Sequence, residues 1–114
     1  MIQTGGTGYV DLDADGSIET DAIVSGGAVT IDTDVDAAAD TSDVTISGII
    51  DAIGAVTINA EDALTVNALI KSVAGEDYLT DGILLTSDTD SDNDGGMTIN
   101  AQLRAPYVSF SAGA

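Results

Sequence analysis

The sequence predicts an all-β chain whose short strands stack as successive coils of a β-solenoid. A pattern of apolar, Thr, apolar and small polar residues recurs along the chain, as in Val29-Thr30-Ile31-Asp32. Strict alternation of apolar and polar side chains is typical of a strand with one buried face. The strongest self-match sets residues 27–32 against 54–59, a step of 27 residues. Since a solenoid coil takes roughly 20 to 30 residues, we expect one module over residues 1–114 with about four or five coils.

Each copy of the repeat directs two apolar side chains inward and a Thr and a small polar residue outward. Val, Ile and Thr also favour strands because their branched stems fit a pleated surface. Shorter apolar pieces predict further strands, and clusters of Gly, Ser and Asp between them predict turns. The copies are residues 29–32, 44–47, 56–59, 64–67 and 97–100, with a weaker copy at 108–111 and further apolar pieces at 49–50, 69–70 and 83–85.

A β-sandwich is the competing fold, since it also has short strands separated by frequent turns. Two observations favour the solenoid. The repeat is nearly identical from copy to copy, and the apolar residues are mostly Val, Ile, Leu and Ala, which suit a narrow interior. The motif at Val56 recurs at Met97 after a longer step that holds an acidic insert, whereas the first 25 residues carry no matching copy.

The charge of the chain restricts its partners. Against 20 acidic residues there are only 2 basic ones, for a net charge of −18, yet 44% of the residues are hydrophobic. That apolar fraction argues against disorder, and the missing basic surface excludes nucleic acid. No apolar run is long enough to span a bilayer. A divalent cation is the natural counter-charge, although acidic surfaces also serve simply to keep secreted or halophilic proteins soluble.

Two segments have the spacing of calcium-binding loops. Alternate carboxylates before a Gly converge on one hard cation, and an apolar residue two positions later anchors the loop. We predict calcium-binding turns, although Asp and Gly also favour turns without metal. Neither segment is a complete EF-hand, because Ala22 and Ala101 stand where a bidentate Glu belongs. The predicted ligands are Asp11, Asp13 and Asp15 in the first segment and Asp90, Asp92 and Asp94 in the second, with Glu19 or Asp21, and Asp88, as further candidates.

A structural role is expected rather than catalysis. The chain has no His, Cys or Trp, and its two basic residues, Lys71 and Arg104, are far apart in sequence. Asp32 interrupts the outward Thr row that ice binding would need, and we interpret the acidic cluster at Asp34, Asp36 and Asp40 as a solvated loop. Both ends continue the strand pattern, which predicts head-to-tail assembly with copies of the chain or with neighbouring repeats of a longer one. The alternatives are a β-sandwich adhesin repeat, which would link rather than stack, and a polysaccharide-binding module with surface glycans as ligands.

The repeats resemble those of filamentous-haemagglutinin-type exoproteins, which are large bacterial surface or secreted adhesins. Residues 54–60, 64–70 and 96–101 carry the resemblance, which extends over roughly 26–112. It implies a right-handed parallel β-helix, a prokaryotic source and an extracellular or cell-surface location. Nothing in the sequence is similar to the secretion domain of that family.

Overall fold

The computed structural model describes residues 1–33, 42–73, 82–89 and 95–112. These residues form fourteen β-strands and no helix. Every strand pairing among them is parallel. The alternation of Val, Ile and Leu with Thr and Asp therefore forms strands as predicted, and the antiparallel pairing typical of a sandwich does not occur in the described part of the chain.

The strands form three parallel sheets, which we call A, B and C. Sheet A consists of β1 (Ile2–Gln3), β4 (Ile23–Ser25), β7 (Ile50–Ala52), β10 (Ile70–Ser72) and β13 (Leu103–Arg104). Sheet B consists of β2 (Val10–Asp13), β5 (Val29–Asp32), β8 (Val56–Asn59), β11 (Ile83–Ser87) and β14 (Val108–Ala112). Sheet C consists of β3 (Ile18–Thr20), β6 (Val44–Ile46), β9 (Leu64–Val66) and β12 (Met97–Ile99).

The chain visits the three sheets in a constant order. Each strand of sheet A is followed by one of sheet B and then one of sheet C, and neighbours within a sheet are three strands apart in the chain. The described strands complete four such passes and two thirds of a fifth. This order is compatible with a β-solenoid, and the number of passes agrees with the expected four or five coils.

The register confirms the strongest self-match of the sequence. Val29 lies beside Val56 and Ile31 beside Ile58, so residues 27 apart occupy the same position on adjacent strands. Met97 repeats the motif of Val56 but does not lie on the same sheet, because Met97 pairs with Leu64 on sheet C. Copies of one motif thus occupy two different sheets, since alternation specifies only which face of a strand is buried.

The first 25 residues follow the same plan, although the repeat was not detectable in them. Leu12 lies beside Ile31 and continues its inward row, while Asp11 lies beside Thr30 in the outward row. Acidic residues therefore replace the outward Thr and small polar residues in the first pass. The inward row keeps its apolar character, because only that row contributes to the core.

The residues that the structure describes include no helix that could span a membrane.

The core consists of inward-facing aliphatic side chains in stacked rows, as the sequence predicts. Packing within stacked rows excludes water from every inward position of the middle passes. The fully buried large side chains are Ile23, Val29, Ile31, Val44, Ile46, Ile50, Val56, Ile58, Leu64, Ile70, Ile83 and Leu85.

The rows of the core remain open at both ends of the stack in the described structure. Phe110 lies beside the buried Leu85 and so occupies an inward position, yet it is 55% exposed. At the other end Ile2 lies beside the fully buried Ile23 and is 40% exposed. Each terminal strand therefore presents core-type side chains and one unpaired backbone edge.

Candidate functional site

The first acidic motif lies mainly in a strand rather than in the predicted turn. Asp11 and Asp13 belong to β2, and only Asp15 follows the end of that strand. The two strand residues are exposed and point away from the core, since Val10 and Leu12 alternate with them as inward residues. Side chains two positions apart share one face of a strand. The structure thus pairs Asp11 with Asp13 on one surface.

Asp13 lies close to two other carboxylates, those of Asp11 and Asp32. Desolvation, the charge of the Asp11 carboxylate and a hydrogen bond that the protonated Asp13 donates to Asp11 raise the pKa of Asp13 above its ordinary value of 3.8. The charge of Asp32, directly opposite on β5, contributes in the same direction. Because the Asp13 side chain is exposed, the neighbouring charges are the main physical cause. Like charges opposite each other destabilise a sheet.

Replacing Asp13 with Asn is expected to raise the melting temperature at pH 7 and low ionic strength. A raised pKa means that the folded chain binds the proton more tightly than the unfolded chain, so ionised Asp13 destabilises the fold. That cost is absent below pH 3.8 and grows as the pH rises through the folded pKa. Thermal unfolding at several pH values should therefore show a difference between Asp13→Asn and wild type that shrinks on acidification.

The matched control for this prediction is Asp21→Asn. Asp21 is also exposed but lies between β3 and β4, outside the strand ladders. An equal gain from both substitutions would attribute the effect to net charge and would contradict a local repulsion at Asp13.

The predicted calcium ligands do not form one cluster in the described part of the chain. No group of three or more acidic side chains capable of holding a metal is found among the described residues. Asp90, Asp92 and Asp94 lie outside those residues, as do Asp34, Asp36 and Asp40. Of the further candidates, Glu19 accepts a hydrogen bond of 3.0 Å from the Ser47 hydroxyl. Asp11 and Asp13 thus lie on a strand face rather than in a closed loop, and calcium binding at either motif remains a prediction.

A buried acidic corner between sheets B and C was not predicted. Glu61, Asp62 and Asp88 are all at most 5% exposed. The corner is held by stacked backbone hydrogen bonds, in which the Asp88 amide donates to the Asp62 carbonyl at 2.8 Å and the Thr89 amide donates to the Glu61 carbonyl at 3.0 Å. The Thr33 hydroxyl accepts a further bond of 3.0 Å from the Glu61 amide.

Asp88 has an unusual backbone conformation within this corner. Its φ of 52° lies in the left-handed region, which Asp tolerates better than most residues. Its Oδ1 atom is buried without a hydrogen-bond partner among the described residues. A buried carboxylate oxygen without a partner costs free energy, so a cation or water at this point would stabilise the fold. Asp88 is thus the described residue that best suits the calcium expectation.

The two basic residues lie side by side, although they are far apart in sequence. Lys71 of β10 is directly opposite Arg104 of β13, in the outward row of sheet A. On the other side of Lys71, the Asp51 carboxylate approaches its Nζ atom to 3.7 Å. Arg104 has no salt bridge among the described residues. A sequence signal was present, since both residues follow an inward aliphatic residue, Ile70 or Leu103, in a short strand.

Charge is distributed unequally between the two ends of the stack. Residues 1–21 contain five acidic residues and no Lys or Arg, whereas residues 95–112 contain Arg104 and no acidic residue. The end formed by β1, β2 and β3 is therefore strongly negative, whereas the described residues of β12, β13 and β14 carry a single charge, the positive one of Arg104. The acidic residues of the first end are Asp11, Asp13, Asp15, Glu19 and Asp21.

The negative end also contains an apolar groove. Its walls include the exposed Met1 and Ile2 and the half-buried Leu12. Thr20 lies in the same groove, and its hydroxyl is buried without a hydrogen-bond partner among the described residues. The groove thus combines apolar surface with an acidic rim.

Comparisons with protein-family models, with curated proteins and with solved structures gave no match.

Proposed function

We propose that this chain is a structural module of an extracellular or cell-surface fibre or adhesin and that copies of it stack end to end. In this proposal the three sheets are the faces of a right-handed parallel β-solenoid. The observation that carries the proposal is the pair of open ends, where Phe110 and Ile2 occupy core positions yet are 55% and 40% exposed. Stacking a second copy would bury these side chains and pair the free strand edges.

The charges of the ends favour head-to-tail over head-to-head contact. The carboxylates of Asp11 and Asp13 at the negative end attract the guanidinium of Arg104 at the other end, whereas two negative ends repel each other. A contact between two different surfaces that does not close into a ring propagates into a fibre. Catalysis is not part of the proposal, and the resemblance to filamentous-haemagglutinin-type repeats agrees with a structural or adhesive role.

Negative-stain electron microscopy of the purified chain tests this function, with sedimentation velocity to measure particle size. We expect filaments at physiological ionic strength, where screening reduces the repulsion between chains of net charge −18. Samples in millimolar calcium, millimolar magnesium and EGTA separate a calcium requirement from general screening. Filaments in calcium but in neither magnesium nor EGTA would support calcium binding, whereas filaments in all three samples would remove calcium as the cause of assembly.

Arg104→Glu is expected to reduce filament formation at least tenfold, because it places a negative charge at the end that meets the acidic end. Lys71→Glu is the matched control, since it makes the same charge change one strand further from the end. Equal effects of both variants would mean that net charge governs assembly. Globular monomers of the wild-type chain under every condition would contradict self-assembly and would favour a repeat within a longer adhesin.

A further inference from the structure

We propose that the buried acidic corner between sheets B and C is a calcium site centred on Asp88, with the hydroxyl oxygens of Ser87 and Thr89 beside it. The site differs from the two predicted acidic motifs, since Asp88 and its buried neighbours Glu61 and Asp62 belong to neither. An ion at this corner stabilises each single chain from within the stack. The inference therefore goes beyond the proposed assembly and does not depend on it.

Three consecutive residues at this corner have buried side-chain oxygens without hydrogen-bond partners. They are the Oγ atom of Ser87, the Oδ1 atom of Asp88 and the Oγ1 atom of Thr89, and no partner for them is found among the described residues. Ser87 is completely buried and Asp88 is 3% exposed. Buried polar atoms are nearly always paired, so an atom that lacks a protein partner indicates a bound ion or water. Three such atoms in succession indicate a ligand at this corner.

The position of Ser87 places its hydroxyl at the corner. Ser87 occupies the position that Thr33 occupies two passes earlier, since the residues before them stack in register through Asn59. The Thr33 hydroxyl donates to the Ser42 carbonyl at 3.3 Å and accepts from the Glu61 amide at 3.0 Å, so it links both sides of the corner. The Ser87 hydroxyl has no such partner among the described residues. A ligand at this point replaces the two groups that satisfy Thr33.

The charge of the corner favours a cation over water. Glu61 and Asp62 are buried beside Asp88, whose amide donates to the Asp62 carbonyl at 2.8 Å. Both of these neighbours have interactions of their own and contribute negative charge to the corner. The two basic residues of the chain, Lys71 and Arg104, lie in the outward row of sheet A. No Lys or Arg therefore offsets the buried carboxylates at this corner, whereas a divalent cation does.

The donor atoms favour calcium among the divalent cations. All of them are oxygens, and the chain contains no His or Cys, which zinc and copper prefer. No group of three acidic side chains that could hold a metal is found in the described part of the chain, so one carboxylate is joined by hydroxyl oxygens and water. Calcium accepts about six to eight oxygens in a flexible arrangement, whereas magnesium requires a near-ideal octahedron. With so few charged ligands, we expect a Kd of about 10⁻⁴–10⁻³ M, as in extracellular modules.

Thermal unfolding of the dilute chain in calcium, in magnesium and in EGTA tests this site. At about ten times a Kd of about 10⁻³ M, calcium is expected to raise the melting temperature by about 5 °C more than magnesium does. Magnesium measures the screening that any divalent cation provides to a chain of net charge −18. Equal gains in the two salts would attribute the effect to screening and the unpaired oxygens to buried water, and would overturn the site.

Asp88→Asn is expected to abolish the extra gain in calcium. Asn has the same shape as Asp and is also tolerated at a φ of 52°, so we expect the variant to fold, which its unfolding in EGTA verifies. Asp21→Asn is the matched control, because it removes one exposed carboxylate outside the corner and should retain the gain. A calcium-specific gain that persists in Asp88→Asn would overturn the site. Asp92→Asn would then show whether the ion binds at the second motif instead.

Ser87→Ala provides a second readout. Removing a buried hydroxyl that has no partner should not lower the melting temperature in EGTA, whereas losing a contact to the ion should weaken calcium binding about tenfold in calorimetric titration. Thr33→Val is the control at the equivalent position, because it removes a hydroxyl with two hydrogen bonds and should destabilise the chain equally in EGTA and in calcium. Wild-type calcium affinity in Ser87→Ala would overturn the site as proposed.

Discussion

Replacing Ile58 with Ala is expected to lower the free energy of unfolding by about 2–5 kcal/mol. Ile58 is fully buried on β8, with Ile31 beside it on one neighbouring strand and Leu85 on the other. Both neighbours are held at the strand spacing by backbone hydrogen bonds, so the side chains around the cavity have little freedom to close it. Urea denaturation under conditions that keep the chain monomeric measures the loss.

Phe110→Ala is the control for this prediction, because Phe110 ends the same inward row that contains Ile58. Its side chain is larger, but it is 55% exposed in the single chain, so less buried surface is lost. The smaller residue should therefore give the larger effect. Equal losses at the two positions would contradict a stacked core with a closed middle and open ends.

Replacing Gly48 with Ala is expected to destabilise the fold by about 1–3 kcal/mol or more, as overpacking does. Gly48 lies at the corner between sheets C and A, directly over the corner of the preceding pass. A Cβ atom there would lie 2.3 Å from the backbone nitrogen of Ala22 and 2.3 Å from the carbonyl carbon of Asp21. Both contacts are with backbone atoms that hold adjacent coils at their spacing. Relief of the clash therefore requires the two passes to separate.

Gly16→Ala is the matched control at another corner of the stack. No atom lies within 4 Å of the position that a Cβ would take at Gly16. This substitution should change the free energy of unfolding by less than about 0.5 kcal/mol, as is usual for surface changes. Thermal or urea unfolding of both variants checks the pair. Similar stabilities for Gly48→Ala and Gly16→Ala would show that the corners are not in close contact.

Both predictions concern the same physical feature, which is stacking at a constant spacing. In stacked architectures each repeat contacts mainly its neighbours, so stability depends on the contacts between adjacent passes. A defect in the middle removes contacts on two sides, and a defect at an end removes them on one. The same reasoning makes the ends of the described stack the surfaces at which the proposed stacking would occur.

Several elements were predictable from the sequence because local chemistry determines them. Alternation in Val29-Thr30-Ile31-Asp32 was enough to predict a strand with Val29 and Ile31 buried, and both are fully buried. The 27-residue step to Val56 correctly identified two strands that lie side by side. A nearly identical motif at a coil-length spacing is informative because parallel in-register stacking places like residues together.

The same reasoning failed where the local pattern was ambiguous. Met97 carries the motif as clearly as Val56 does, yet it belongs to a different sheet. The acidic spacing of Asp11 and Asp13 predicts a turn, but the inward Val10 and Leu12 make it a strand. For Asp11 and Asp13 the burial of apolar neighbours determines the outcome, whereas for Met97 the lengths of the intervening coils determine the sheet.

The sequence by itself determined the all-β class, the aliphatic core and the inward and outward rows, because side-chain alternation and β-branched residues act within a few positions of the chain. Only the tertiary structure decided that Lys71 and Arg104 are neighbours and that Glu61, Asp62 and Asp88 meet at one buried corner. It also decided that Arg104 and the acidic residues of β2 lie at opposite ends of the described stack. These features depend on the length of every coil, because a longer or shorter connection changes which residues stack without altering any local pattern.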